Sequence, residues 1–408
     1  MRILLIHQYF LEPDDGGGSR FNEMTKHWVS QGHEIEVIAG MMHANGSEKR
    51  PEYKGKWTVT KKDENVLVHR THVSESYNNG FLGRLWGYFS FVLSSIYGGL
   101  FKTKGKFDVI LVTSPPLFVG ITAYILSLLK RVPFVFEIRD LWPESAIDTG
   151  VLNNKLIIKM AYWFENFIYK RAKLINVLTP AFRMKLIQKG VPESKIIYIP
   201  NAADFSISDE LSDFDASKFK TDLGLQDNFV ITYVGAHGVA NHLIQVLDAA
   251  ERIKHTPVVF QLIGSGMQKQ ELIEESKKRE LSNVIFRDPV PKKEVFKYIL
   301  SSDMGASILK KVDTFKTIYS NKTFDYMSCS IPVFLAIDGI SKDLINEAKC
   351  GVFIEPENVD DWVEKIEDIL SYQINLETMG INGRKYALEN FHRTALSEKY
   401  INYLKRLI

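Results

Sequence analysis

Three short stretches of this 408-residue chain concentrate the residue types that do chemistry. In "FEIRDLWPES", residues 136–145, Glu137, Arg139, Asp140 and Glu144 surround Trp142 and Pro143 directly after an apolar run. Charged groups in such a place are costly to bury unless they are paired or used. A carboxylate there can orient or deprotonate an attacking hydroxyl, and Arg139 can grip a phosphate bidentately or pair with Asp140. The competing reading is a helix N-cap, because Asp140 precedes Pro143 and Glu144, which suit a helix start. Asp140 is the first candidate for catalysis, with Arg139 beside it.

In "YSNKTFDYMSCSIPVF", Lys322 stands near the start of a helix and Asp325 follows one turn later on the same face. A diphosphate at that helix end would be held by main-chain N–H groups and by Lys322. A carboxylate one turn deeper can accept the hydroxyls of a ribose. The plain alternative is an intrahelical Lys–Asp pair, which is worth little. The third stretch, "LLIHQYFLEPDDGGGSRF", runs from a strand into Gly16, Gly17 and Gly18 just before a helix. Missing Cβ atoms let a bulky phosphate or sugar approach the backbone; a tight turn explains the glycines equally. The spacing is neither GxGxxG nor GxxxxGK[ST], so it does not mark a dinucleotide or ATP loop. His7, at the end of the strand, faces either the same cleft or the core.

These stretches need elements to position them. "RILLIHQYF", a helical pattern from Arg20 to Gln31, "HEIEVIAG", "FDVILVTSP", a helix from Leu117 to Lys130, "VPFVFEIRD", a helix from Lys155 to Ala172, "KLINVLTP" and "KIIYIPN" alternate through the first half. Continuous apolar runs of this kind belong to strands buried on both faces, so the sheet is expected to be parallel and doubly wound. "AADFSISDELSDFDASKF" reads as a polar, acidic linker. The alternation then restarts with "FVITYVGAHG", "VVFQLIGSG", "NVIFRDPV", "MGASIL", "IPVFLA" and "GVFIEP". The expected α/β architecture is therefore two Rossmann-like domains with parallel sheets facing across a cleft. Residues 1–203 form the first and 204–382 the second, with helices from 383 to 408 crossing back to the first. Every chemical stretch falls at a strand's carboxyl end or a helix start, where such sheets bind ligands.

At roughly 100–200 residues per domain the length allows two or three domains. A net charge of +2 argues against bulk electrostatic binding of nucleic acid. The two cysteines, Cys329 and Cys350, have no metal-ligand spacing and fit a reducing compartment. No small-residue cleavage site follows the first apolar run, so it reads as a strand, and a cytoplasmic location is expected.

Together, "ILLIHQYFLEPDDGGGSRF", "FEIRDLWPES", "YIPNAAD", "ITYVGAHG", "LIGSG" and "NKTFDYMSCSIPV" resemble the GT-B glycosyltransferases of family GT4, especially the bacterial surface-polysaccharide branch typified by L-fucosamine transferases. The matching stretches span nearly the whole chain in the family's order. The resemblance implies that the donor nucleotide sits mostly in the C-terminal domain. Gly17 and Gly18 would approach the donor phosphates or sugar, and Gly238 and Asn241 would lie in the loop beside them. Asp325 would hold the ribose, the backbone around Arg287 would read the base, and Lys322 would neutralise the leaving diphosphate. Members of this family retain anomeric configuration and usually need no metal.

The chain departs from the family in three places. Thr317 replaces the first of the family's usual two glutamates, the second being Asp325. "VGAHGVANH" lacks the family's Arg and Lys, leaving His237, Asn241 and His242, or Lys310 and Lys311, as substitutes. Ser330 stands where a glycine is usual. "DFD" at 213–215 has a metal-binding form, but it lies in the acidic stretch with no strand before it and reads as solvated charge; no metal or other cofactor is expected.

"RLWGYFSFVLSSIYGGLFKTKGK" is uncharged between Arg84 and Lys102, slightly short of the roughly 20 apolar residues that span a bilayer. Its aromatic ends and the following Lys102, Lys104 and Lys106 suit an interfacial helix; the alternative is a buried helix of the first domain. "IIKMAYWFENFIYKRAK" could dock the same face. The expected function is transfer of an N-acetylated, possibly 6-deoxy, sugar from a UDP-sugar donor to a polyprenyl-diphosphate-linked saccharide. Peripheral membrane contact runs through 81–106, and O-antigen or capsule synthesis is the expected setting. The rivals are a UDP-sugar 2-epimerase and a non-catalytic nucleotide-sugar-binding protein.

Overall fold

Apolar runs with no polar face become central strands, because helices on both sides leave neither face of the sheet to water. The computed structural model describes residues 1–12, 15, 20–42, 49–63, 65–78, 80–148, 150, 152–371 and 374–408. Its first unit comprises Met1–Pro200 and Thr394–Ile408. The strands here are β1 (Arg2–Ile6), β2 (Glu34–Gly40), β3 (Thr58–Asp63), β4 (Val66–Thr71), β5 (Val109–Ser114), β6 (Phe134–Ile138), β7 (Leu174–Val177) and β8 (Ile196–Tyr198). They lie in the order β3-β4-β2-β1-β5-β6-β7-β8, all parallel except β3. The chain reverses direction across the sheet between β1 and β5, so the carboxyl ends of β1, β5 and β6 frame the ligand position of this topology.

The second unit is Asn201–Arg393. It holds β9 (Phe229–Val234), β10 (Val258–Ile263), β11 (Val284–Arg287), β12 (Met304–Ile308), β13 (Val333–Ala336) and β14 (Gly351–Phe353). These form an all-parallel sheet in the order β11-β10-β9-β12-β13-β14. Its reversal lies between β9 and β12. Fully buried Trp362, on the helix Val359–Leu370, packs edge-on against Phe260 and Phe334 of the sheet.

Several sequence expectations need correction. The acidic stretch after Asn201 is not a linker: it forms the helices Phe205–Glu210 and Ala216–Asp222. Asp204 accepts from Ser206 N–H at 3.1 Å, and Asp215 from Lys218 N–H at 2.8 Å. The acids mark helix starts, where carboxylates satisfy orphan N–H groups and the dipole. The pair β3–β4 escaped notice because "TVTKKD" is polar, as an antiparallel edge strand allows.

The units also divide after Pro200 and after Arg393 rather than at 203/204 and 382/383. The helix Leu376–Asn390 stays with the second unit, and only Arg393–Lys405 belongs mainly to the first. Gly380 explains this, since a Cβ there would lie 1.9 Å from the Ser330 carbonyl oxygen. That close approach fixes the helix against its own sheet's neighbours. Within the first unit, Trp28 donates to the Ser397 carbonyl at 3.0 Å and meets the ring of Tyr400.

The long apolar stretch is the helix Gly80–Phe101. No helix among the described residues is long and apolar enough to cross a membrane. Phe91, Val92, Ser94 and Ser95 are buried, and Ser95 bonds Thr122 of the neighbouring helix Val119–Lys130 at 2.8 Å. The other face leaves Trp86, Leu93, Tyr97 and Phe101 exposed.

Candidate active-site residues in each unit

In the second unit the helix Asn321–Ser328 begins at Ser320, whose side chain makes no capping bond. Its first N–H groups therefore carry the positive end of the dipole without a side-chain cap. Lys322, half-buried in the first turn, holds its ammonium 4.9 Å from the centre of the Tyr233 ring. A Cβ on Gly235, at the end of β9 and at φ 144°, would come within 3.0 Å of the lysine Cε. Only glycine lets the loop pass so close. Lys322 makes no hydrogen bond or ion pair among the described residues. Burial lowers its ammonium to about 8, although Asp325 opposes that shift. Asp325 shares the helix without touching Lys322 as an ion pair, so the intrahelical-pair reading does not describe this geometry. Burial raises its carboxyl, while Lys292, Arg393 and Lys322 pull it down and Asp204 pushes it further up.

That surrounding group was not legible in sequence. Lys292 pairs with Asp204 at 3.1 Å across 88 positions, and Arg393 donates to the Ala202 carbonyl at 2.8 Å. Only the folded chain assembles them.

The loop after β9 meets the end of β12 where Lys310 N–H donates to the Ala240 carbonyl at 2.9 Å. The ammonium of Lys311, at the surface, pairs with Glu355 at 2.6 Å. His237 is fully buried and neither ring nitrogen has a partner. Burial, with Lys269 and Lys322 nearby, lowers it to about 4, so it is neutral at pH 7. Gly238 accepts from the N–H of buried Asn241 at 3.0 Å, closing a turn beside it. The guanidinium of Arg287 donates to Gln261 at 2.6 Å. Its carbonyl already accepts from Gly264 N–H at 3.1 Å and from the Lys269 ammonium at 2.9 Å. Thr317 donates to the Thr314 carbonyl.

In the first unit the charged residues of "FEIRDLWPES" take separate roles. Glu137 is fully buried and receives Arg20 through two contacts, at 3.1 and 3.2 Å, plus Asn176 at 2.8 Å. Glu144 pairs with Lys189 at 2.7 Å, which also holds Glu165. Asp140 accepts from the Leu141 N–H and the Ser145 hydroxyl, just ahead of and within the helix Glu144–Asp148. Burial nevertheless raises its carboxyl to about 6. Arg139 is half-buried, with Glu137, Arg20 and Asp140 nearby. His7 is buried at the end of β1. Gly17 and Gly18 lie outside the described residues.

Residues 15–202 match the glycosyl transferase 4-like domain, and residues 214–386 match the glycosyl transferases group 1 family. The putative colanic acid biosynthesis glycosyl transferase WcaI of Escherichia coli K12 is 23% identical over 99% of this chain and 100% of its own. The alpha-galactosylglucosyldiacylglycerol synthase of Streptococcus pneumoniae is 25% identical over 41% of this chain and 44% of its own. Among solved structures, HepE of Anabaena in complex with UDP and glucose aligns with a TM-score of 0.73 at 17% identity, covering both chains fully. Sucrose-phosphate synthase of Thermosynechococcus elongatus aligns with a TM-score of 0.74 at 14% identity, over 100% of this chain and 98% of that one. The fold is thus that of the GT-B glycosyltransferases.

Proposed function

From the premise that the chain is a glycosyltransferase built of two GT4-type domains, we propose that it is a retaining enzyme. It moves a sugar from a UDP donor to a lipid-linked saccharide in surface-polysaccharide synthesis. The observation that carries this reading is Lys322: a half-buried ammonium with no anionic partner in contact, at an uncapped helix start. A leaving UDP diphosphate is the ligand that such a place stabilises most, because charge grows on it as the glycosidic bond breaks. Lys322 and the helix N–H groups supply the positive charge there, so no metal is required. The acceptor hydroxyl attacks on the leaving-group face, and the departing phosphate takes its proton. Asp325 holds the ribose. In the first unit Asp140 orients the acceptor.

The UDP donor draws support from the HepE complexes with UDP and UDP-glucose, and the polysaccharide setting from the colanic acid relative. A lipid-linked acceptor is supported by the outer face of the first unit. Trp86, Leu93 and Phe101 of one helix, Leu129 of the next, and Met160 and Trp163 of the helix Lys155–Arg171 are all exposed. Lys102, Lys104 and Lys106 follow the first of these helices in the chain, and Lys155 and Lys159 lie on the third. Exposed apolar side chains on lysine-bearing segments suit an anionic lipid surface, which supports the reading of an interfacial enzyme on the inner face of the plasma membrane. The test is transfer from a panel of UDP-, GDP- and dTDP-sugars to bacterial membrane extract, read by mass spectrometry of the lipid-linked product. Product formed only from GDP- or dTDP-sugars overturns the donor assignment. Inversion at the new linkage overturns the stereochemical one.

A further inference from the structure

Most charges at the carboxyl end of the first sheet are engaged by the protein itself. Glu137 is taken by Arg20 and Asn176. Arg20 also donates to the Ile199 and Pro200 carbonyls. Asp140 is taken by Leu141 N–H and the Ser145 hydroxyl. Arg70 holds the carbonyls of Phe10, Leu11 and Gly40 and pairs with Glu12. The exception is Arg139, whose guanidinium has no hydrogen-bonded or ion-paired partner among the described residues. His7 is equally unusual: it is 4% exposed and its Nδ1 has no partner.

The strand register sets these two residues at the same edge of the sheet, with Arg139 two residues further along than the position level with His7. Ile6 pairs with Val112 and Val112 with Phe136, so His7 follows β1 and Arg139 follows β6 on either side of the end of β5. The charge of Arg139 is felt at His7, where it joins burial and Arg70 in keeping the ring neutral.

We propose that Arg139 and His7 form an anion site in the first unit that binds the diphosphate of the lipid-linked acceptor. This assignment rests on the lipid-linked-acceptor reading above. A guanidinium presents five donors in a fork that matches phosphate oxygens, and a neutral imidazole adds a hydrogen-bonding partner without competing charge. The lipid side of the ligand has its own place in the same unit. Trp142, three residues after Arg139, packs on Phe118 at 5.6 Å. Phe118 in turn meets Phe89 of the helix Gly80–Phe101 and Phe164 of the helix Lys155–Arg171. The loop bearing the free cation therefore leads directly into the aromatic cluster under the two exposed apolar helices. A polar head gripped at Arg139 would leave its chain running toward that face.

The test is isothermal titration of the full chain with farnesyl diphosphate, farnesol and inorganic diphosphate, with UDP titrated separately. Farnesyl diphosphate is expected to bind at least about tenfold more tightly than farnesol, and Arg139→Ala to remove that advantage while UDP affinity stays unchanged. Arg139→Lys keeps charge without the fork and should fall between the two. Should Arg139→Ala fail to fold, Arg139→Gln, which keeps the length of the stem, carries the same expectation. Equal binding of farnesol and farnesyl diphosphate, or full affinity for farnesyl diphosphate in the variant, overturns the site. Inorganic diphosphate binding as tightly as farnesyl diphosphate overturns the lipid assignment. Failure of wild-type protein to bind UDP would instead strike the donor reading, since that ligand is assigned to the other unit.

Discussion

Replacing Lys322 by Met should make the protein more stable and worse at binding UDP. The methionine keeps an apolar stem against Tyr233 and Gly235, where the lysine stem now lies. A drop from the usual 10.5 to about 8 corresponds to about 3 kcal/mol of unfavourable burial of the charged form. Solvent screening at a half-buried head group reduces that to about 1–2 kcal/mol of expected gain. For a unit of this size each kcal/mol raises the melting temperature by about 2–4 °C. Between about pH 8 and 10.5 the folded lysine binds fewer protons than the unfolded one. The wild type therefore pays for the charge below about 8 and regains stability as pH rises through that window, whereas the variant's stability is flat there with respect to this group. Losing a charge-assisted contact to phosphate costs about 1.5–3 kcal/mol, or roughly 10–100-fold in UDP affinity. Wild-type affinity should itself fall above about pH 8, toward that of the variant. Titration calorimetry at pH 7 and pH 9 with scanning calorimetry on both proteins measures all of this. A variant that binds UDP within about twofold of wild type at pH 7, or that melts lower, refutes the reasoning.

Three further expectations concern the first unit. Because the Asp140 carboxyl is raised to about 6, transfer should increase as pH rises through that value, and Asp140→Asn should lower kcat and flatten the acid limb; an unchanged profile in the variant removes Asp140 from catalysis. Glu137→Gln leaves the charge of Arg20 buried with a neutral partner, so urea unfolding should show a loss of about 3 kcal/mol or more, and a loss under about 1 kcal/mol would contradict the role given to that network. The pair Leu93→Glu and Trp163→Glu changes two exposed residues on neighbouring apolar helices, so it should leave the melting temperature in place while weakening sedimentation with phosphatidylglycerol vesicles by at least about tenfold. Equal sedimentation would show that this face meets something other than lipid.

The site was partly legible because some of its logic is local. A lysine and an aspartate one turn apart after "YSN" announce a helix end with a cation, and the structure places Lys322 there. Arg139 and Asp140 were legible as candidates, but not their fates. Whether Arg139 finds Glu137 as a partner depends on Arg20 and Asn176, which take that carboxylate, lie 156 positions apart in the chain and meet only after the sheet forms. The same holds for Lys311, read as a possible phosphate ligand and found on Glu355, 44 positions away.

What the chain's order of residues determined by itself is the alternation of two-sided apolar strands and helices, twice over, with chemical residues at strand ends. That much follows from periodicity and from the short range of turn and cap preferences. Long-range contact decided the rest: the acidic stretch became two capped helices, Leu376–Asn390 stayed with the second unit, and Asp325 acquired Lys292 and Arg393 as neighbours. Charge pairing and close helix crossings act over a few ångströms in space whatever the separation along the chain, so no local pattern could have announced them.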